Sequence, residues 1–205
     1  MKLQTVLFFI LSLSCAGRIE SAETLQSVRL GDANYKVSFV GDRPFAKLGS
    51  RTFEGEKGKV AGDFASWIFK TGRKGNYDVG FELITNQKLK LSLAVNTNLE
   101  SGGPDLMSAS PDSKFVVFRF GSAVRDQRFE VHKADGTLVL KDGYFLDAKW
   151  TGKGLEYTLI RDVPTSDPRE KKCPGSMAVQ MKKYIFDGFE KKESKEPPVI
   201  ECFGE

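Results

Sequence analysis

The chain has 205 residues, with 31 basic and 27 acidic side chains for a net charge of +4 and a hydrophobic fraction of 40%. That is an ordinary globular composition, sufficient for one real core. It argues against a nucleic-acid binder built on a one-sided basic stripe, because the lysine pairs Lys171-Lys172, Lys182-Lys183 and Lys191-Lys192 mostly have acids close by.

Lys2 precedes the apolar run Val6-Leu7-Phe8-Phe9-Ile10-Leu11, and Ser12 to Gly17 supplies the small residues a signal peptidase accepts. Residues 1–17 therefore read as a secretory signal. The run is too short to cross a ~30 Å hydrocarbon layer, and no other segment nears ~20 apolar residues. The expectation is an exported protein with no transmembrane span: periplasmic, extracellular or envelope-anchored. Cys15 leaves two exits open. A lipobox wants Leu three positions earlier, where Ser12 stands between Leu11 and Leu13. Lipidation of Cys15 would tether the protein to a membrane, whereas cleavage after Ala16 or Gly17, the reading we favour, discards that cysteine. Residues 18–189 read as a single β-domain and residues 190–205 as a charged tail.

Along the body the dominant signal is strand. Phe64, Trp67 and Ile68 have the i, i+3, i+4 spacing of a short helix over 63–68, confined by Gly62 and Gly72, with a buried strand as the alternative. From there, apolar Tyr77, Val79, Phe81 and Leu83 alternate with Asp78, Gly80 and Glu82, and Leu89, Leu91, Leu93 and Val95 alternate with Lys90 and Ser92. Period two marks half-buried strands. With Thr85-Asn86-Gln87 as the turn, 77–95 is predicted to be a hairpin whose odd positions face the core.

The second half repeats itself. Ala109 to Phe118 is echoed by Trp150 to Tyr157 at an offset of 39. Phe129 to Ala134, ending in Asp135-Gly136, is echoed by Met181 to Phe186, ending in Asp187-Gly188, at an offset of 52. The excess matches the stretch 162–174, rich in proline and charge, which reads as a loop inserted in the second unit. Offsets of ~40 to 50 are those of propeller blades. Ser110-Pro111-Asp112-Ser113-Lys114, opening the strand Phe115 to Phe118, resembles the Ser-Pro-Asp-Gly-Lys motif of TolB-like and WD40-like β-propeller repeats, over about residues 105–189. The resemblance implies an all-β fold of antiparallel meanders, propeller-like or as stacked blades, with at most one short helix. It also implies interaction, since such repeats present binding surfaces. Two units do not close a ring, and the preceding ~80 residues have room for only two more; a β-sandwich or jelly roll is the alternative. Asp135-Gly136, Asp142-Gly143 and Asp187-Gly188 favour type I′ turns.

Cys173 and Cys202 remain once the leader is gone, and an even pair in an oxidising compartment forms a disulfide. Closing a loop of about 30 residues contributes about 3.5 kcal/mol by chain entropy. Glu190 to Pro198 has no apolar face, so the bridge is expected to be what holds the tail. Without a Cys-x-x-Cys spacing, a redox role is not indicated.

Catalytic chemistry is sparse. His132 is the sole histidine, so any histidine-based triad or metal scheme runs through it. In the strand Phe129 to Ala134 it shares the face of Glu130, opposite Phe129 and Val131, and reads as a solvated group beside a carboxylate. The 20 glycines form no Gly-x-Gly-x-x-Gly or Walker loop. Acids such as Asp162, Asp167 and Glu170 sit in the inserted loop without the calcium spacing of an EF-hand. No catalytic residue, metal or cofactor is therefore assigned. The expectation is a non-enzymatic exported binding or scaffolding protein with a protein or glycan ligand, whose candidate contact aromatics are Trp67, Tyr144 and Trp150. The alternative is a small carbohydrate-binding module or hydrolase.

Overall fold

The computed structural model describes residues 24–97, 103–121, 127–164 and 166–203; the signal segment and Cys15 lie outside the described residues. The chain forms four antiparallel sheets in succession. Strands β1 (Thr24–Leu30), β2 (Ala33–Val40), β3 (Arg43–Leu48) and β4 (Arg51–Glu54) make the first, and β5 (Glu56–Ala61), β6 (Phe64–Lys74), β7 (Tyr77–Asn86) and β8 (Leu91–Asn96) the second. The third holds β9 (Asp105–Ala109), β10 (Phe115–Phe120), β11 (Arg128–Lys133) and β12 (Leu138–Asp142). The fourth holds β13 (Phe145–Thr151), β14 (Gly154–Asp162), β15 (Met177–Phe186) and β16 (Lys191–Glu193), and β17 (Val199–Phe203) pairs with β15 as well. Each sheet is a meander in chain order. The protein is thus all-β, and among the described residues its helical structure is one 3-10 segment, Pro168–Lys172, whose N-cap Asp167 accepts from the Arg169 amide. No helix among the described residues is long and apolar enough to cross a membrane.

Consecutive sheets share cores. Val28, Tyr35, Val37 and Ala46 of the first sheet pack with Trp67, Phe69, Phe81 and Leu83 of the second. Phe64 and Ile84 of the second meet Leu106, Val116 and Phe118 of the third. Val117, Phe129 and Val131 of the third meet Phe145, Leu155, Tyr157 and Phe186 of the fourth. Among the described residues no buried cluster joins the first sheet to the fourth. An ion pair also ties the second sheet to the third: Lys59 Nζ lies 2.6 Å from the Asp105 carboxylate, which Arg119 Nη2 of the third sheet also meets at 2.6 Å.

A sheet covered on both faces loses the alternation expected of a half-buried one. This corrects the helix expected over 63–68. Phe64, Ala65, Ser66 and Trp67 are buried in sequence within β6, with Phe64 toward the third sheet and Ala65 and Trp67 toward the first. The i, i+3 spacing of Phe64 and Trp67 is shared by two opposite faces of a strand. The hairpin after it forms, yet its register differs from the expected one. Thr85 and Asn86 stay in β7, the turn is 87–90, and an irregularity between Ile84 and Thr85 shifts the pairing. Leu89 falls in the turn and Leu91 is 37% exposed, while Val95 and Leu93 pack against different cores.

The repeat corresponds to structure: β10 and β14 are the second strands of their sheets, β11 and β15 the third. The inserted segment follows β14 and carries the 3-10 turn. The motif turn at Ser110 to Lys114 has Ser113 where the resembled repeats have Gly, and Ser113 adopts φ +55°. A side chain in that left-handed region is strained. Ser113→Gly is expected to stabilise by about 0.5 kcal/mol, the relief exceeding the added chain entropy; a lower melting temperature in thermal unfolding would contradict this. The Asp-Gly turns are not type I′, since neither Asp135 nor Asp187 has positive φ. The connections are longer than two residues, and the Asp135 carboxylate instead accepts from the Thr137 amide at 2.9 Å.

Cys173 and Cys202 are joined in a disulfide, with Cys173 buried beside Val163, Ala178 and Ile200. The tail, expected to depend on that bridge alone, also supplies two strands that fill one edge of β15: β17 pairs with Met177 to Met181 and β16 with Tyr184 to Phe186. Paired backbone groups satisfy what an apolar face could not.

Candidate functional site

In an antiparallel meander the first and third turns emerge at the same end. At that end the turns of the second, third and fourth sheets abut. A Cβ built on Gly62 would lie 2.5 Å from Ser113 Oγ, one on Gly136 would lie 3.3 Å from Leu93, and one on Gly188 would lie 3.3 Å from the Phe115 ring. Between them is a notch of about 440 Å³, walled by Leu89, Phe115, Ala134 and Phe189 and by Lys114 and Lys133.

Each wall is held by its own turn. The Asp187 carboxylate accepts from the amides of Phe189 and Glu190, both at 3.0 Å, and from Lys192 Nζ at 2.7 Å. The hydrogen bond from Lys192, followed by those from the two amides, holds the Asp187 carboxyl well below its ordinary range. The turn is thereby fixed as an Asx-type loop, and it presents Phe189 96% exposed. On the opposite wall, Asp112 accepts from Ser110 Oγ at 2.7 Å and from the Lys114 amide at 3.1 Å, and the Phe115 amide donates to Ser110 Oγ at 3.0 Å. Hydrogen bonds from Ser110 and Lys114 pull the Asp112 carboxyl down to about 2. The Phe115 ring is backed by Trp150 in a stacked contact at 6.1 Å and by the edge of Phe186.

The aromatics singled out from the sequence lie apart from one another. Trp67 is 5% exposed in the core of the first two sheets, where its Nε1 donates to Thr85 Oγ1 at 3.1 Å, so it leaves no ring face for a ligand. Tyr144 is half-buried between β12 and β13, its carbonyl accepting from the Ile160 amide. Trp150 is half-buried and reaches the notch only through Phe115. His132 is not the solvated group expected, because its face packs toward the second sheet. Its Nδ1 lies 3.0 Å from the Gly136 carbonyl and its Nε2 3.1 Å from Glu130, while its ring contacts Phe118. Burial opposes ionisation of Glu130, and the hydrogen bonds from His132 and Lys141 outweigh it, lowering the carboxyl's pKa. Phe189 has no part in the sequence reading, and Leu89 is placed there on a core-facing strand and not at a site. The available signal was an aromatic directly after a turn dipeptide, where a polar residue is usual.

A second cleft, of about 330 Å³, crosses the outer face of the fourth sheet between Lys149, Lys153, Glu156, Lys183 and Glu196. Two of its charges are engaged with each other, in the 2.8 Å pair of Lys183 and Glu196, and Glu156 accepts from Thr151 Oγ1 at 2.9 Å. No family model matches the chain, and no curated protein matches it.

Proposed function

We propose that this is an exported, non-enzymatic binding protein that receives an apolar side chain of a protein or peptide partner in the notch at the turn end of its sheets. The observation that carries the reading is Phe189, held 96% exposed on a turn fixed by its own aspartate and facing Leu89 across an apolar hollow. Covering such a ring is worth about 1.5–3 kcal/mol, a gain left for a ligand to make. Export is supported by the leader pattern and by the Cys173–Cys202 bridge. Both nitrogens of the sole histidine are engaged in its own hairpin, which favours binding over histidine-based hydrolysis. Sugar recognition draws on flat Trp or Tyr faces, and here Trp67 is in the core and Trp150 is covered by Phe115.

The test is selection of displayed random peptides on the oxidised protein, run beside a glycan array. Enriched peptides should share an aromatic or aliphatic anchor, and Phe189→Ser should weaken them by about 10-fold or more. Glycan binding indifferent to Phe189→Ser would place the protein with carbohydrate-binding modules instead.

A further inference from the structure

The outer face of the first sheet carries a basic row that the notch does not involve. Pairing sets Ser27 beside Lys36, Lys36 beside Lys47 and Lys47 beside Thr52, in one line across all four strands. All four residues are exposed, because Val28, Tyr35, Val37 and Ala46 take the opposite face into the core. Arg29 stands on the same face, next to Asn34. Two lysines directly opposite one another repel, and among the described residues neither makes an ion pair. Several cations of the other sheets are matched, Lys59 with Asp105, Lys70 with Glu56, Lys141 with Glu130, Lys183 with Glu196 and Lys192 with Asp187, whereas here two cations stand directly opposite one another. On this face the single acid of β4, Glu54, is already taken by Arg43 at 2.9 Å.

We propose that this face docks on an anionic lipid surface. The unmatched charge calls for a negative partner, and the exposed Val40 with half-buried Phe45 on the same face suits shallow contact with a headgroup layer.

The test is vesicle flotation with the intact protein, comparing phosphatidylcholine vesicles with and without phosphatidylglycerol; the ratio of the two affinities cancels the contribution of an acyl anchor. The anionic vesicles should bind more tightly, and less so as salt rises. Each of Lys36→Ala and Lys47→Ala should reduce that ratio about 5-fold, and the pair about 25-fold. Lys149→Ala with Lys153→Ala, on the fourth sheet, should leave it unchanged. No preference for anionic vesicles, or equal loss in the two double variants, overturns the proposal. Binding of dextran sulfate without binding of vesicles overturns it in favour of a soluble polyanion.

Discussion

Phe81→Ala is expected to destabilise the fold by about 3–5 kcal/mol, as loss of a fully buried aromatic does. Phe81 is without exposed surface, stacks on Phe69 at 4.8 Å and meets Tyr35 of the first sheet at 5.4 Å, so the truncation opens a cavity at the joint between two sheets. Leu91→Ala should cost no more than about 1 kcal/mol, because Leu91 is 37% exposed at the start of β8. Simple alternation puts both side chains on one buried face, whereas the shifted pairing after Ile84 separates them. Urea denaturation of the two variants decides the matter: comparable losses would contradict the register.

Replacing both Cys173 and Cys202 with Ser should lower stability by about 3.5 kcal/mol, the chain entropy of the loop they close. The loss is expected to be local. β17 is held to β15 by five register pairs from Met177 to Met181, and the bridge fixes the inserted loop beside Val163 and Ala178. Hydrogen exchange should quicken at Ile200 to Cys202 and at Val179, while Trp67 and Phe81, two sheets away, keep their protection. Uniform loss of protection would show that the fourth sheet is needed by the whole stack.

How much of each sheet is legible in the sequence depends on how that sheet is covered. The repeat of the second half is legible because matching apolar strands end in matching dipeptides, Asp135-Gly136 and Asp187-Gly188. Strand β6 is not, because burial between two sheets replaces alternation by an unbroken apolar run, and Phe64 with Trp67 then imitates a helix. His132 is misjudged for the same reason: its polar face is a second interior. The candidate site is less legible still. Phe189 reads like any core phenylalanine until the turn around Asp187 turns it outward. Lys36 and Lys47 are far apart in the chain and meet only through the β2–β3 register.

We place partner binding, as proposed above, at the notch around Phe189. Amide chemical-shift mapping on the oxidised protein, titrated with a peptide selected for an apolar anchor, tests it directly. The predicted result is a set of shifted resonances confined to the turns 87–90, 110–114, 134–137 and 187–190, absent in Phe189→Ser. Shifts centred on Lys149, Lys183 and Glu196, on the outer face of the fourth sheet, would contradict it.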